Sequence, residues 1–169
     1  MKHLFLIAII IGLGILTRAE SEYTVTSDGA NKILKGLISR DMLENDTAFR
    51  WFHNNKASFV PRTEAVAVLR EKATEVQFLV FAATWNEETK YIIPRFFALL
   101  DAAAVPPDQV TLIGVDHANH SAHHLSEDMH IMNLPTIIVL KEGKEVGRLS
   151  GHDHDPWDTT LTHIIQTKF

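Results

Sequence analysis

Residues 76–90, VQFLVFAATWNEETK, decide the fold of this 169-residue chain. The run from Val76 to Ala82 is almost continuously apolar and has the length of a strand, which is typical of a central strand covered on both faces. The polar residues that follow begin a helix predicted over 86–103, in which Pro94 removes one hydrogen-bond donor. The stretch therefore predicts a buried strand that leads directly into a helix.

The C-terminal half adds more strands and helices in alternation. Strands are predicted over 110–115 and 136–140, and Glu142-Gly143 is typical of a turn before a partner strand over 145–149. Pro156-Trp157 opens a last helix. Strands that alternate with helices imply a parallel pair joined by a crossover, and the closing hairpin adds antiparallel strands. We expect an α/β domain with a mixed central sheet flanked by helices.

The chain is divided into an N-terminal helical extension, residues 20–60, and a main domain, residues 61–169. Residues 21–31 are polar and without periodicity, so they predict a short flexible leader. Residues 33–38 favour a strand. Ser39 is a good helix N-cap, and short helices are expected after it.

Three local motifs, in this order, resemble the thioredoxin family. In that family a buried strand ends in Trp-Cys-x-x-Cys-Lys at the start of a Pro-kinked helix, and here residues 85–90 are WNEETK. The family also has a cis-proline before its next core strand, and Pro135 in the stretch 134–140 matches it. Residues 141–148 resemble the family's closing hairpin. The likeness covers roughly residues 60–169 and is similar to exported bacterial thioredoxin-like proteins in particular.

The chain departs from this family in its chemistry, because it contains no cysteine. Matched residue by residue, Asn86 stands at the nucleophilic cysteine position and Thr89 at the resolving position. Disulfide exchange needs a thiolate that attacks a disulfide sulfur, so neither residue can perform it. Asn86 is instead a preferred helix N-cap, with Glu87 in the first turn. Thr84 with Glu87 also has capping-box spacing, so the helix has two candidate starts.

The resemblance implies a peptide-binding groove made by Trp85, Asn86, Pro135 and Thr136, because thioredoxins bind an extended peptide beside the proline. Alternatively, Trp85 only covers the core and Pro135 only shapes a turn. We expect a redox-inactive thioredoxin-like module that binds an envelope protein or an extended peptide and uses no cofactor. A second hypothesis is an accessory member of a thiol–disulfide system in which another protein supplies all the sulfur. A decayed paralogue is a third.

A metal-binding protein is the other function class considered, because the chain has ten histidines, seven of them between residues 117 and 154. If residues 119–129 are helical, His120 and His124 share one face at the i, i+4 spacing that zinc helices use. His117 is a candidate third ligand. A fourth would come from Asp116, His152 or His154. The alternative is a solvated polar helix, and we assign no metal on this pattern alone.

The first 19 residues predict a secretory signal peptide, with Lys2 before an apolar run over 4–16 and small residues at the cleavage point. The run is short for a membrane-spanning helix, although an uncleaved anchor is the alternative. We expect a periplasmic or secreted protein without a stable membrane span. Cleavage removes Lys2 and Arg18, so the net charge moves from −5 to −7. An acidic chain without a basic stripe is a poor nucleic-acid binder.

Overall fold

A computed structural model of the chain describes residues 22–151 and 156–169. Its strands are β1 (Tyr23–Asp28), β2 (Asn31–Ile38), β3 (Val76–Ala82), β4 (Val110–Gly114), β5 (Thr136–Lys141) and β6 (Lys144–Ser150). They form one sheet in the order β1-β2-β4-β3-β5-β6. The β3–β4 pair is parallel and all other neighbours are antiparallel. The mixed sheet expected from the sequence is therefore confirmed.

The helices are α1 (Arg40–Asn45), α2 (Arg50–Ala57), α3 (Thr63–Glu71), α4 (Glu87–Ala103), α5 (Leu125–Asp128) and α6 (Trp157–Lys168). Short 3₁₀ turns lie at Thr47–Phe49, Pro107–Gln109 and Ala122–His124. Across the two described ranges, no helix combines the length and apolarity needed to cross a bilayer. The predicted signal peptide over residues 1–19 lies outside the described residues.

Strand β3 is the centre of the core and is buried on both faces. Phe78 and Val80 pack into a large cluster with apolar side chains of the helices α1, α2, α3, α4 and α6. Phe81 points to the opposite face, where it packs with Ile138 and with residues of the segment that follows β4. Burial of a side chain of this size stabilises a fold by about 1.5–3 kcal/mol. The predicted central strand is confirmed, and most of the helices lie on one of its faces.

The predicted flexible leader is wrong, because residues 23–28 form the edge strand β1. Tyr23 pairs with Gly36 and Asp28 pairs with Asn31 in a regular antiparallel register with β2. Gly29 adopts φ +56° in the turn, a conformation that glycine reaches without steric penalty. The helices expected in the N-terminal extension are present as α1 and α2, and they follow this hairpin.

The helix predicted over residues 119–129 is also wrong. The segment contains one 3₁₀ turn and the four-residue α5, and both His123 and His124 have left-handed backbones, with φ of 56° and 59°. Asp116 accepts hydrogen bonds from the backbone N–H groups of Ala118 and His120, each at 2.9 Å. Such side-chain bonds satisfy the backbone locally and compete with helix formation.

An ion-pair network joins α1, α2 and α4. The Arg40 guanidinium donates to both carboxylate oxygens of Asp101, at 2.6 and 2.7 Å, and to Glu44 at 2.9 Å. Lys56 contacts the same two acids at 2.8 and 3.0 Å. Burial raises the pKa of Asp101, but the hydrogen bonds from Arg40 and Lys56 outweigh this effect and leave the pKa below its usual value. The same balance lowers the pKa of Glu44.

Replacing Asp101 by Asn is expected to lower the free energy of unfolding by about 1 kcal/mol at pH 7. The Asp101 carboxylate is half-exposed and belongs to a network of ion pairs, so its contribution should lie at the upper end of the range for surface ion pairs. The folded-state pKa of Asp101 is lowered, so its contribution is present above the unfolded-state pKa of about 4 and is lost as the pH falls through the folded-state value.

Urea unfolding at pH 7, 4 and 2.5 measures this prediction. The difference between the wild type and Asp101→Asn should shrink toward the lowest pH. Asp108→Asn is the control, because Asp108 is exposed and makes no ion pair with a described residue. A difference that stays constant over this pH range would contradict the network's role.

Candidate functional site

The start of α4 is organised by Asn86, which caps the helix. Its backbone is extended, with φ −86° and ψ 132°, and its side-chain oxygen accepts from the Thr89 N–H at 2.8 Å. The alternative start at Thr84 is not used. The Thr84 hydroxyl instead donates to the Lys32 carbonyl oxygen at 2.7 Å, which ties the end of β3 to β2. The amide at the nucleophile position therefore performs the capping role that its chemistry allows.

Thr89, at the second cysteine position of the family, is directed into the protein. Its side chain is buried, and its hydroxyl oxygen accepts a hydrogen bond from the Ala83 N–H at 3.2 Å. Both residues of the former motif are thus engaged by backbone groups of the same strand–helix junction. The junction is a stable helix start with no nucleophile directed at the surface.

Trp85 lies beside His117, with ring centroids 4.5 Å apart and planes tilted by 36°. His117 follows β4, which is a parallel neighbour of β3, so both rings emerge at the same end of the sheet. The His117 Nε2 atom lies 3.1 Å from a carboxylate oxygen of Asp28, at the tip of the β1–β2 hairpin. His117 therefore connects the N-terminal hairpin to the indole ring of Trp85.

Pro135 lies next to the first turn of α4. Phe81 pairs with Thr136, so β3 ends beside the start of β5, and the Leu134–Pro135 peptide bond is cis. A Cβ atom added to Gly151 would overlap a Glu88 carboxylate oxygen and would lie 3.0 Å from Pro135 Cδ. The structure thus brings the α4 start and the proline together around Gly151, a residue that the sequence motifs do not single out.

Thr136 does not present its hydroxyl to the groove. The side chain is buried, and the hydroxyl donates to the Asn133 carbonyl oxygen at 2.7 Å. This bond holds the turn before β5, so Thr136 positions Pro135 and its hydroxyl is engaged within that turn.

The indole N–H of Trp85 is buried and has no acceptor among the described residues. A buried polar group without a partner destabilises a protein by about 1–3 kcal/mol. Trp85 as a whole is only partly buried. It therefore combines a partly exposed side chain with a donor that has no acceptor among the described residues.

The candidate metal ligands are not brought together. His120 and His124 both approach Glu127, at 3.9 and 3.1 Å, whereas His117 turns toward Trp85 and Asp28. The Ser126 hydroxyl and then His124 lower the pKa of Glu127 to about 2. Within residues 22–151 and 156–169, no three His, Asp or Glu side chains are placed to hold a metal ion.

Two of the proposed additional ligands, His152 and His154, lie outside the described residues. Asp116, the third, is engaged by Lys35 at 2.8 Å as well as by backbone N–H groups. The helix on which the metal hypothesis depended is absent from the segment that follows β4.

The sheet, the strand–helix junction and the proline before β5 define a thioredoxin-like domain. The family model for thioredoxin matches residues 63–164, which is more than half of the chain. The chain therefore belongs to the thioredoxin family, as a cysteine-free and redox-inactive member.

Comparison with other proteins adds little beyond the fold. No curated protein matches the chain. Among solved structures, the chain is similar to a protein of unknown function from Pseudomonas aeruginosa, with 13% identity and a TM-score of 0.48. The match covers 75% of this chain and 86% of that one.

Replacing Asn86 by Ala is expected to destabilise the protein by about 1 kcal/mol, because loss of an N-cap side chain leaves helix N–H groups without an acceptor. Asn86→Ser should restore most of this stability, since serine caps helices nearly as well. Thermal and urea unfolding measure both effects. Equal stability of the Ala and Ser variants would show that the capping bond contributes little.

Proposed function

We propose that this chain is a non-catalytic binding module of the cell envelope, which holds an extended segment of a partner protein in the groove between Trp85 and Pro135. The observation that carries the proposal is a partly exposed Trp85 at the end of the sheet where the cis Pro135 also lies. At this end Asn86 and Thr89 are both engaged by backbone groups. The comparison with the family's peptide site rests on the positions of Trp85 and Pro135, and the chain has no thiol.

The chemistry of the groove favours an extended segment with an apolar or aromatic side chain. A flat indole face gives contact area at a low loss of side-chain entropy, which is why Trp is frequent at the centre of interfaces. The His117 ring and its contact with Asp28 hold the indole in one orientation. Pre-ordering of this kind reduces the entropy lost on binding.

The envelope location rests on the predicted signal peptide, residues 1–19, and on the resemblance to exported relatives. An oxidising compartment suits a domain without thiols, because its stability does not depend on redox state. The accessory redox role differs from simple binding only in the partner, which would then carry the reactive sulfur.

Panning a displayed library of random peptides on the purified protein tests the proposal. Selected peptides should bind the wild type, and Trp85→Ala should weaken them by about 30-fold, the effect of removing an aromatic hot spot. Fluorescence anisotropy of labelled peptides measures the affinities. Pro135→Ala should weaken the same peptides.

Tyr91→Ala is the matched control, because Tyr91 is an exposed aromatic residue on α4 that lies under the Arg95 side chain. It should leave peptide affinity unchanged within about twofold. Circular dichroism shows whether Trp85→Ala and Tyr91→Ala are folded. If both are folded and the peptides bind Trp85→Ala as tightly as the wild type, the proposed groove does not bind them.

A further inference from the structure

A second candidate site is a cavity that lies away from the Trp85–Pro135 groove. It has a volume of about 800 Å³ and lies between the start of β1, helix α1, the second half of α4 and the start of β4. From Glu87 to Asp101, α4 spans about 21 Å at a rise of about 1.5 Å per residue. The cavity is therefore at the far end of α4 from the Asn86 cap.

Apolar side chains supply most of the cavity wall. Six of them are Leu37, Met42, Phe97, Leu100, Val105 and Val110. A mainly apolar concave site of about 300–1,000 Å³ is the usual form of a small-molecule site. Leu37 is 41% exposed, so part of this apolar wall faces solvent without a protein partner.

The wall has a single cationic side chain, and it is already paired with acids. Arg40 is the only Lys or Arg among the described lining residues, and three of its five N–H donors bond Asp101 and Glu44. Its guanidinium also lies 5.1 Å from the centre of the Phe97 ring. A carboxylate or phosphate that approached Arg40 would compete with these two acids for its charge.

The acids of the wall are in excess. Glu44 and Asp101 are balanced by Arg40 and Lys56. Glu22 and Asp41 also line the cavity, and neither is paired with a cation among the described residues. The negative end of the α4 dipole points the same way, and the last turn of α4 has no basic residue. The wall therefore carries more acidic than basic side chains, which favours a positively charged ligand.

The geometry points to a binding site for an amphiphilic cation, a molecule with an apolar body that fills the cavity and an ammonium or guanidinium group that lies near Glu22 and Asp41. This site is independent of the peptide groove, since the two share no residue.

Isothermal titration calorimetry with decyltrimethylammonium and with decanoate, both below their micellar concentrations, tests the proposal. The cation should bind at one site per chain and at least about tenfold more tightly than the carboxylate, because like-charge contacts are strongly unfavourable. Leu37→Lys should weaken cation binding by about tenfold or more for the same reason. Asp41→Asn should weaken it by about two- to fivefold, the effect of one screened charge pair.

Two variants provide matched controls. Val60→Lys makes the same charge change as Leu37→Lys at a residue that is 87% exposed and does not line the cavity. Asp128→Asn matches Asp41→Asn at an exposed acid of α5. Both should bind the cation within about twofold of the wild type.

Three outcomes would overturn the proposal: no binding of the cation, equal binding of decanoate, or equal weakening by Leu37→Lys and Val60→Lys. Melting temperatures of all variants show whether each one is folded. None of these outcomes bears on the Trp85–Pro135 groove, because the test of the groove uses different variants and a different ligand.

Discussion

Burial of β3 on both faces of the sheet is the constraint on which the site depends. Because the strand has no solvent-facing side over most of its length, its two neighbours and the helices above it must be present together. Strand β3 ends at Ala82, and α4 begins at Glu87 after a junction of four residues. The position of Trp85 and of the α4 start is therefore set by the core.

The strand–helix junction shows how the family's geometry persists without its chemistry. A helix N-terminus needs acceptors for its free N–H groups, whatever residue provides them. Asn86 provides one, and Thr89 satisfies the Ala83 N–H from inside the helix. Thr84 binds backbone groups of β2 as both donor and acceptor, which fixes the N-terminal hairpin to the same junction. The polar side chains at the two cysteine positions of the family therefore form local hydrogen bonds and carry no redox chemistry.

The sequence predicts those parts of the fold in which local pattern and tertiary environment agree. The apolar run of β3 and the Asn86 cap of α4 are of this kind, and both are found as predicted. Strand β1 was missed because five of its six residues are exposed, and only the short alternation of Tyr23 to Thr26 marks it. Its available signals were the Asp28-Gly29 turn and the β-branched residues before that turn.

The prediction for the segment after β4 was wrong for a different reason. Its polar pattern fits a helix, but the hydrogen bonds that it forms are not those of a helix. Asp116 and the Ser121–Ser126 pair bind backbone N–H groups and hold His123 and His124 in left-handed conformations. As a result, His117 does not join the expected ligand set and instead contacts the Trp85 ring.

The indole N–H of Trp85 has no acceptor among the described residues, and His123 and His124 have left-handed backbones; both features oppose folding. A domain shaped by stability alone has no use for such features. The proposed binding role would give the unsatisfied donor of Trp85 a physical reason, since strained or unsatisfied groups are retained where a site uses them.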